Sequence, residues 1–360
     1  MNYDWKYDQL HGAGSYWANF AFQFDDLELL HVRHGYRNNV IMGGDNWAVN
    51  AGFGTDDERV DITKPMVQNR SGLALEMSAK PTFVIGEPVV VDLKLKVRDL
   101  DGVEVSGYLH PNFGITQIAI KKPGGEVVTY EPLAEHLCGP RIVLLDENNP
   151  SISTSAYIGY GRGGNYFNSP GTYILRAAYA TPGGGIITSA DVKIRVKSPI
   201  SAAEDEIADL YLGDEQGRLF YLLGSDGDHL QRGNDAFNTV LDKHGDNPLS
   251  VYAALVQGVN ATRDFKKVHG DNSVSVRKKD PKEASSLITK VFDMTNSGDG
   301  VDRITLDYAM RKSAESFLHV GDKESAKSTL KELKGFLAKQ NLAKHELKRA
   351  NARIDSLLSQ

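Results

Sequence analysis

The residues best placed to do chemistry fall into two groups. The first is His31 and His34, one helical turn apart, with His11 and the carboxylates of Asp25, Asp26 and Asp45 close in sequence. Two imidazoles at that spacing present nitrogens on one helix face, and carboxylates can complete a divalent-metal shell. His11, His31 and His34 are therefore the candidate metal ligands, although HxxH has no third ligand at a diagnostic spacing. The second group is the run Tyr157-Ile158-Gly159-Tyr160-Gly161-Arg162-Gly163-Gly164-Asn165-Tyr166-Phe167. Aromatic rings on a glycine frame beside a cation and an amide can stack on sugars or grip a peptide. Tyr157, Tyr160, Arg162, Asn165, Tyr166 and Phe167 are the candidate ligand-binding residues. The alternative is a long hairpin whose tyrosines pack inward.

Other signals are excluded. No GxSxG elbow and no HExxH occur, and no P-loop lysine follows the glycine-rich run. Asp226-Gly227-Asp228 and Asp299-Gly300-Val301-Asp302 look like fragments of calcium loops, but both lack the twelve-residue spacing and closing glutamate of an EF-hand. Capping turns account for them. The lone cysteine, Cys138, cannot form an internal disulfide. No catalytic set is identified and no cofactor is implied beyond that possible metal.

These residues must be held by some scaffold. The 360 residues exceed one ordinary domain, and 41% hydrophobic with 24% charged residues is a globular mix. A net charge of -6 argues against a nucleic-acid partner, which selects a basic face. No apolar run reaches membrane-spanning length. Met1–Leu10 has neither the basic start nor the apolar core of a secretory leader.

Residues 1–75 form an aromatic, glycine-rich segment in which Phe20, Phe22 and Phe24 alternate as in a strand. Residues 76–199 alternate with period two. Val89, Val91, Leu93, Leu95 and Val97 share one face, Ile118 and Ile120 another, and Val192, Ile194 and Val196 a third. Pro-Gly and Gly-Gly turns separate them, so this region is expected to be an antiparallel β-sandwich. From 200 to 360 the period becomes helical. Ile207 to Leu223 reads as one broken helix, and further helices are expected near Ala236, Pro248, Pro281, Asp302, Asp322 and Leu342. That region is expected to be all-α, as helical repeats or an irregular bundle. Its basic run, Lys323 to Arg353, reads as a solvated face or a contact for an acidic partner.

Three resemblances accompany this reading. Phe83-Val84-Ile85-Gly86-Glu87-Pro88-Val89 and Pro170-Gly171-Thr172-Tyr173 resemble the strand entries of immunoglobulin-like modules of bacterial surface and secreted proteins. That resemblance implies a generic sandwich and an extracytoplasmic setting, without the Cys…Trp…Cys core of antibody domains. Asn234-Asp235-Ala236-Phe237 through Pro248 to Tyr252-Ala253-Ala254-Leu255 resembles a tetratricopeptide unit, with a weaker copy around Ala314, Phe317, Gly321, Asp322 and Ala326. Phe24 to Tyr36 resembles the last helix of matrixin-type zinc proteases, but the motif that does their chemistry is missing. The combined expectation is a multidomain β plus α chain, a non-enzymatic interaction protein whose sandwich loops and helical groove engage a protein or glycan partner. The alternatives are a hydrolase, or accessory part of one, with its site near His11, His31 and His34, and a carbohydrate-binding module.

Overall fold

A computed structural model describes residues 72–98, 102–134, 142–181, 185–268 and 273–359. The chain mixes β-sheets and α-helices and divides into two compact units. Among the described residues, one comprises 72–85 and Val89–Ser198. The other comprises Gly86–Pro88 and Pro199–Gln360.

In the first unit, β1 (Leu73–Ala79), β3 (Val90–Val97) and β8 (Ser151–Tyr157) form a three-stranded antiparallel sheet in the order β1-β3-β8. β3 shows why: its residues alternate between buried and half-buried along the whole strand, with Leu93 and Leu95 fully enclosed and Asp92, Lys94 and Lys96 on the other face. A second sheet runs β2 (Thr82–Val84), β13 (Val192–Lys197), β11 (Gly171–Thr181), β5 (Thr116–Lys121), β6 (Val127–Thr129). β12 (Gly185–Thr188) also pairs with β11. β2 lies parallel to β13, a departure from the purely antiparallel expectation; the other pairings in this sheet are antiparallel. Leu93, Leu95, Ile118, Ile120, Tyr173, Leu175 and Ile194 join one hydrophobic cluster drawn from both sheets. Each such side chain contributes roughly 1.5–3 kcal/mol.

Two short ribbons complete the unit. β4 (Val103–Ser106) pairs with β7 (Ile142–Leu145), and β9 (Tyr160–Gly161) pairs with β10 (Gly164–Asn165).

The second unit holds eight α-helices among the described residues: α1 (Ala202–Tyr211), α2 (Asp214–Leu222), α3 (Gln231–Lys243), α4 (Ser250–Ala261), α5 (Pro281–Ser297), α6 (Arg303–His319), α7 (Lys323–Lys339) and α8 (Lys344–Leu358). Their starts are chemically marked. Asp280 caps α5 by accepting from the Lys282 and Glu283 amides, each at 3.0 Å, with Pro281 at the first helical position. Asp302 accepts from Thr305 N–H at 2.9 Å to cap α6, and Asp322 from Ser325 N–H at 3.0 Å to cap α7. The expected break between Ile207 and Leu223 falls at Leu212–Gly213, separating α1 from α2. α4 is buried nearly all round and packs on α5. Gly258 allows that approach, since a Cβ there would lie 3.0 Å from Ile288 Cγ1 and 3.1 Å from Leu287 Cβ.

One expectation is corrected. Residues 200–360 are not all-α: β14 (Phe265–Val268) and β15 (Val274–Arg277) form an antiparallel hairpin between α4 and α5. Val274-Ser275-Val276-Arg277 does alternate with period two. Its lysines and arginines, and the helices on either side, hid that signal.

Candidate functional site

The glycine-rich loop is built around β9 and β10, in register Gly161↔Gly164 and Tyr160↔Asn165. Gly161 is required by close approach, because a Cβ would meet the Glu131 carbonyl and sit 3.1 Å from Tyr130 Cε2. Arg162, at the tip, donates its backbone N–H to Glu131 O at 2.9 Å and brings its guanidinium to 3.8 Å from the Glu131 carboxylate. Arg162 and Asn165 are half-buried.

The aromatic rings turn inward. Tyr160, Tyr166 and Phe167 are buried. Tyr166 meets Tyr130 edge-on at 5.4 Å, and its hydroxyl accepts from Glu131 N–H at 3.1 Å. Phe167 lies 4.9 Å from Tyr173. Tyr130 donates from its hydroxyl to Tyr157 O at 3.0 Å. Burial pushes the phenols of Tyr157 and Tyr166 up from their ordinary value. Stacking on a sugar needs an exposed ring face, and at Tyr160, Tyr166 and Phe167 those faces are used inside the fold. These rings brace the loop, and Arg162 with Asn165 are its more accessible polar groups.

His11, His31 and His34 lie outside the described residues. Among the described residues no group of three His, Cys, Asp or Glu side chains is arranged to hold a metal ion. Asp226 is engaged otherwise, accepting from Asn260 Nδ2 at 2.5 Å and pairing with Arg277. Asp228 pairs with Lys267, and Asp302 caps α6. No described helix is long and apolar enough to cross a membrane.

The surface features that sequence reasoning missed are apolar residues on two ribbons. On β7, Ile142 and Leu144 stand two residues apart on one face, 47% and 51% exposed. On β15, Val274 and Val276 do the same at 57% and 39%. The alternation in Ile142-Val143-Leu144 and Val274-Ser275-Val276 was the available signal. It shows which residues share a face but not whether that face is covered.

Comparison with known proteins adds little. No protein-family model matches the chain, and no curated protein does. Among solved structures, a mutant β-glucosidase from Listeria innocua in complex with laminaribiose is 10% identical with a TM-score of 0.21, covering 40% of this chain and 20% of that one. β-Glucosidase from Listeria innocua in complex with isofagomine, and without a named ligand, each reach 13% identity and a TM-score of 0.20, covering 36% of this chain and 16% of theirs. The chain spans a fifth or less of the length of those structures, and similarity at this level carries no argument about fold or activity.

Proposed function

We propose that this chain is a non-enzymatic interaction protein. In this reading an immunoglobulin-like sandwich is followed by a helical-repeat unit, and short strands present apolar faces to a protein partner. The observation that carries the reading is the pair of uncovered apolar faces, Ile142/Leu144 and Val274/Val276. Exposed apolar residues are ordinary when scattered singly, but paired on a strand they form a template for association unless something covers them. Both pairs sit on two-stranded ribbons whose outer edges have no strand partner among the described residues. The affinity-capture test compares the full chain with Ile142→Ser/Leu144→Ser and Val274→Ser/Val276→Ser variants. A partner held by the parent and lost from one variant is the expected result. Undiminished capture by both variants, or turnover of a substrate by the purified chain, overturns the reading.

A further inference from the structure

The hairpin β14–β15 has two faces with different employment. Its register pairs Phe265 with Arg277, Lys266 with Val276, Lys267 with Ser275 and Val268 with Val274. Phe265, Lys267, Ser275 and Arg277 therefore share one face, and Lys266, Val274 and Val276 share the other.

The first face is tied down. Arg277 pairs with Asp226 through Nε and donates from Nη2 to Asn260 O at 3.0 Å. Lys267 pairs with Asp228. Just beyond β15, Asp264 accepts from Lys278 Nζ and from Lys279 N–H, each at 3.0 Å, and Asp280 N–H reaches Ala261 O at 2.9 Å. These clamps explain how a two-stranded ribbon, marginal alone, holds its shape.

The second face has no such use. Val274 is 57% and Val276 39% exposed, and Lys266, directly opposite Val276, is exposed with no ion-pair partner among the described residues. β15 is exposed at Val274, Ser275 and Val276, and among the described residues β14 is its one strand neighbour. Lys266, Lys267, Arg277, Lys278 and Lys279 outnumber Asp226, Asp228, Asp264 and Asp280 by one on a chain whose net charge is -6, and with Lys267, Arg277 and Lys278 engaged by aspartates, Lys266 is the cation left on the valine face.

We infer that β15 is a docking edge for an extended acidic peptide. The peptide adds as a strand beside β15 and turns to the Val274/Val276 face an apolar side chain against Val274 and, two residues along, a carboxylate that reaches past Val276 toward Lys266; a further carboxylate meets Lys279. The main-chain bonds supply affinity and the charge supplies direction and selection. A second copy of this hairpin is disfavoured as occupant, since it would bring the same surplus of cations against itself. This inference rests on the interaction reading above and names its partner's chemistry.

The probe is a fluorescein-labelled peptide repeating Val-Thr-Glu-Thr, which carries valine and glutamate on one face of a strand, titrated into the full chain and followed by anisotropy. The same peptide with lysine for glutamate, and the same peptide with alternate amides methylated, serve as controls. Binding of the first peptide alone is expected. It should weaken about tenfold in Lys266→Glu, where an attraction becomes a repulsion, and further as salt is raised. Amide exchange at residues 274–277 should slow when the peptide is bound. Lys266 is exposed, so its variant keeps the fold, which far-UV circular dichroism verifies. Absence of binding, equal binding by Lys266→Glu, equal binding of the methylated peptide, or protection elsewhere overturns the inference. So does a concentration-dependent dimer abolished by Val276→Asp. If Val274→Ser/Val276→Ser loses its captured partner while the peptide fails to bind, only the partner's chemistry is wrong. If capture survives every ribbon variant, the interaction reading falls.

Discussion

Tyr179 shows what a single buried hydroxyl does here. It accepts from Ser106 N–H at 3.0 Å and lies 3.4 Å from Ser106 O, with both residues buried and 73 positions apart. Burial raises its phenol pKa, so it remains the neutral donor and acceptor that the contact needs. Tyr179→Phe keeps the ring and strands a buried amide, which costs about 1–3 kcal/mol. A urea midpoint unchanged by that substitution would refute the assignment. Arg263 plays the corresponding part in the helical unit. Its guanidinium donates to the carbonyls of Leu222, Leu223 and Gly224 at the end of α2, where Leu223 is forced to a positive φ of 50°. Arg263→Met leaves those carbonyls without their cation and should lower the midpoint by a similar amount. Neither role was legible in sequence. An isolated tyrosine or arginine carries no mark of a partner brought to it by folding.

At the level of elements, helix starts were legible because capping is local. Asp302 and Asp322 each find their amide three residues ahead, and Pro281 sits where its missing N–H is harmless. The alternation of β3 was legible for the same reason, since period two survives whatever packs on the strand. The hairpin β14–β15 was not. It is held by contacts to Asp226, Asp228 and Asp264, two of them outside the ribbon's own stretch of sequence, which no local pattern announces. The Asp322 cap also carries a pH dependence. The Ser325 backbone and hydroxyl hydrogen bonds hold its carboxyl below the ordinary aspartate value of 3.8. A depressed folded pKa binds protons less readily than the unfolded chain does. Its stabilisation is therefore complete above that ordinary value and is lost as pH falls through the folded one. Asp322→Asn caps without titrating, so its acid unfolding limb, followed by helical ellipticity, should be shallower than the parent's. Packing gives a second test. Gly258→Val forces a branched side chain into the α4–α5 contact, where even a Cβ lies 3.0 Å from Ile288. Overpacking there should cost about 1–3 kcal/mol, and a stability unchanged from the parent would show that the helices can separate freely.

Across the whole molecule, the change of hydrophobic period near Ser198–Pro199 marks where one compact unit gives way to the other. It was readable because strands and helices repeat apolar residues at different intervals. What period could not show is surface use: which faces stay uncovered, and whether the tyrosines after Tyr157 point outward or in. Those depend on residues far apart in the chain, as with Glu131 and Tyr166. The two units draw their cores from different residues. The cluster containing Leu93 runs from Leu73 to Val196 and includes no helical residue. Phe237 is fully buried among Tyr211 and Phe220, at ring distances of 5.7 and 4.8 Å. Each lesion should therefore be felt where it is made. Leu93→Ala should destabilise the sheet unit by about 2–5 kcal/mol and Phe237→Ala the helical unit by about 3–5 kcal/mol. If the two cores are independent, the double variant should lose the sum to within about 0.5 kcal/mol. Amide exchange resolved by segment reads the two losses separately. If Leu93→Ala loosens α3 as much as β3, the two cores unfold as one cooperative body, and the division seen in the packing is not a division in stability.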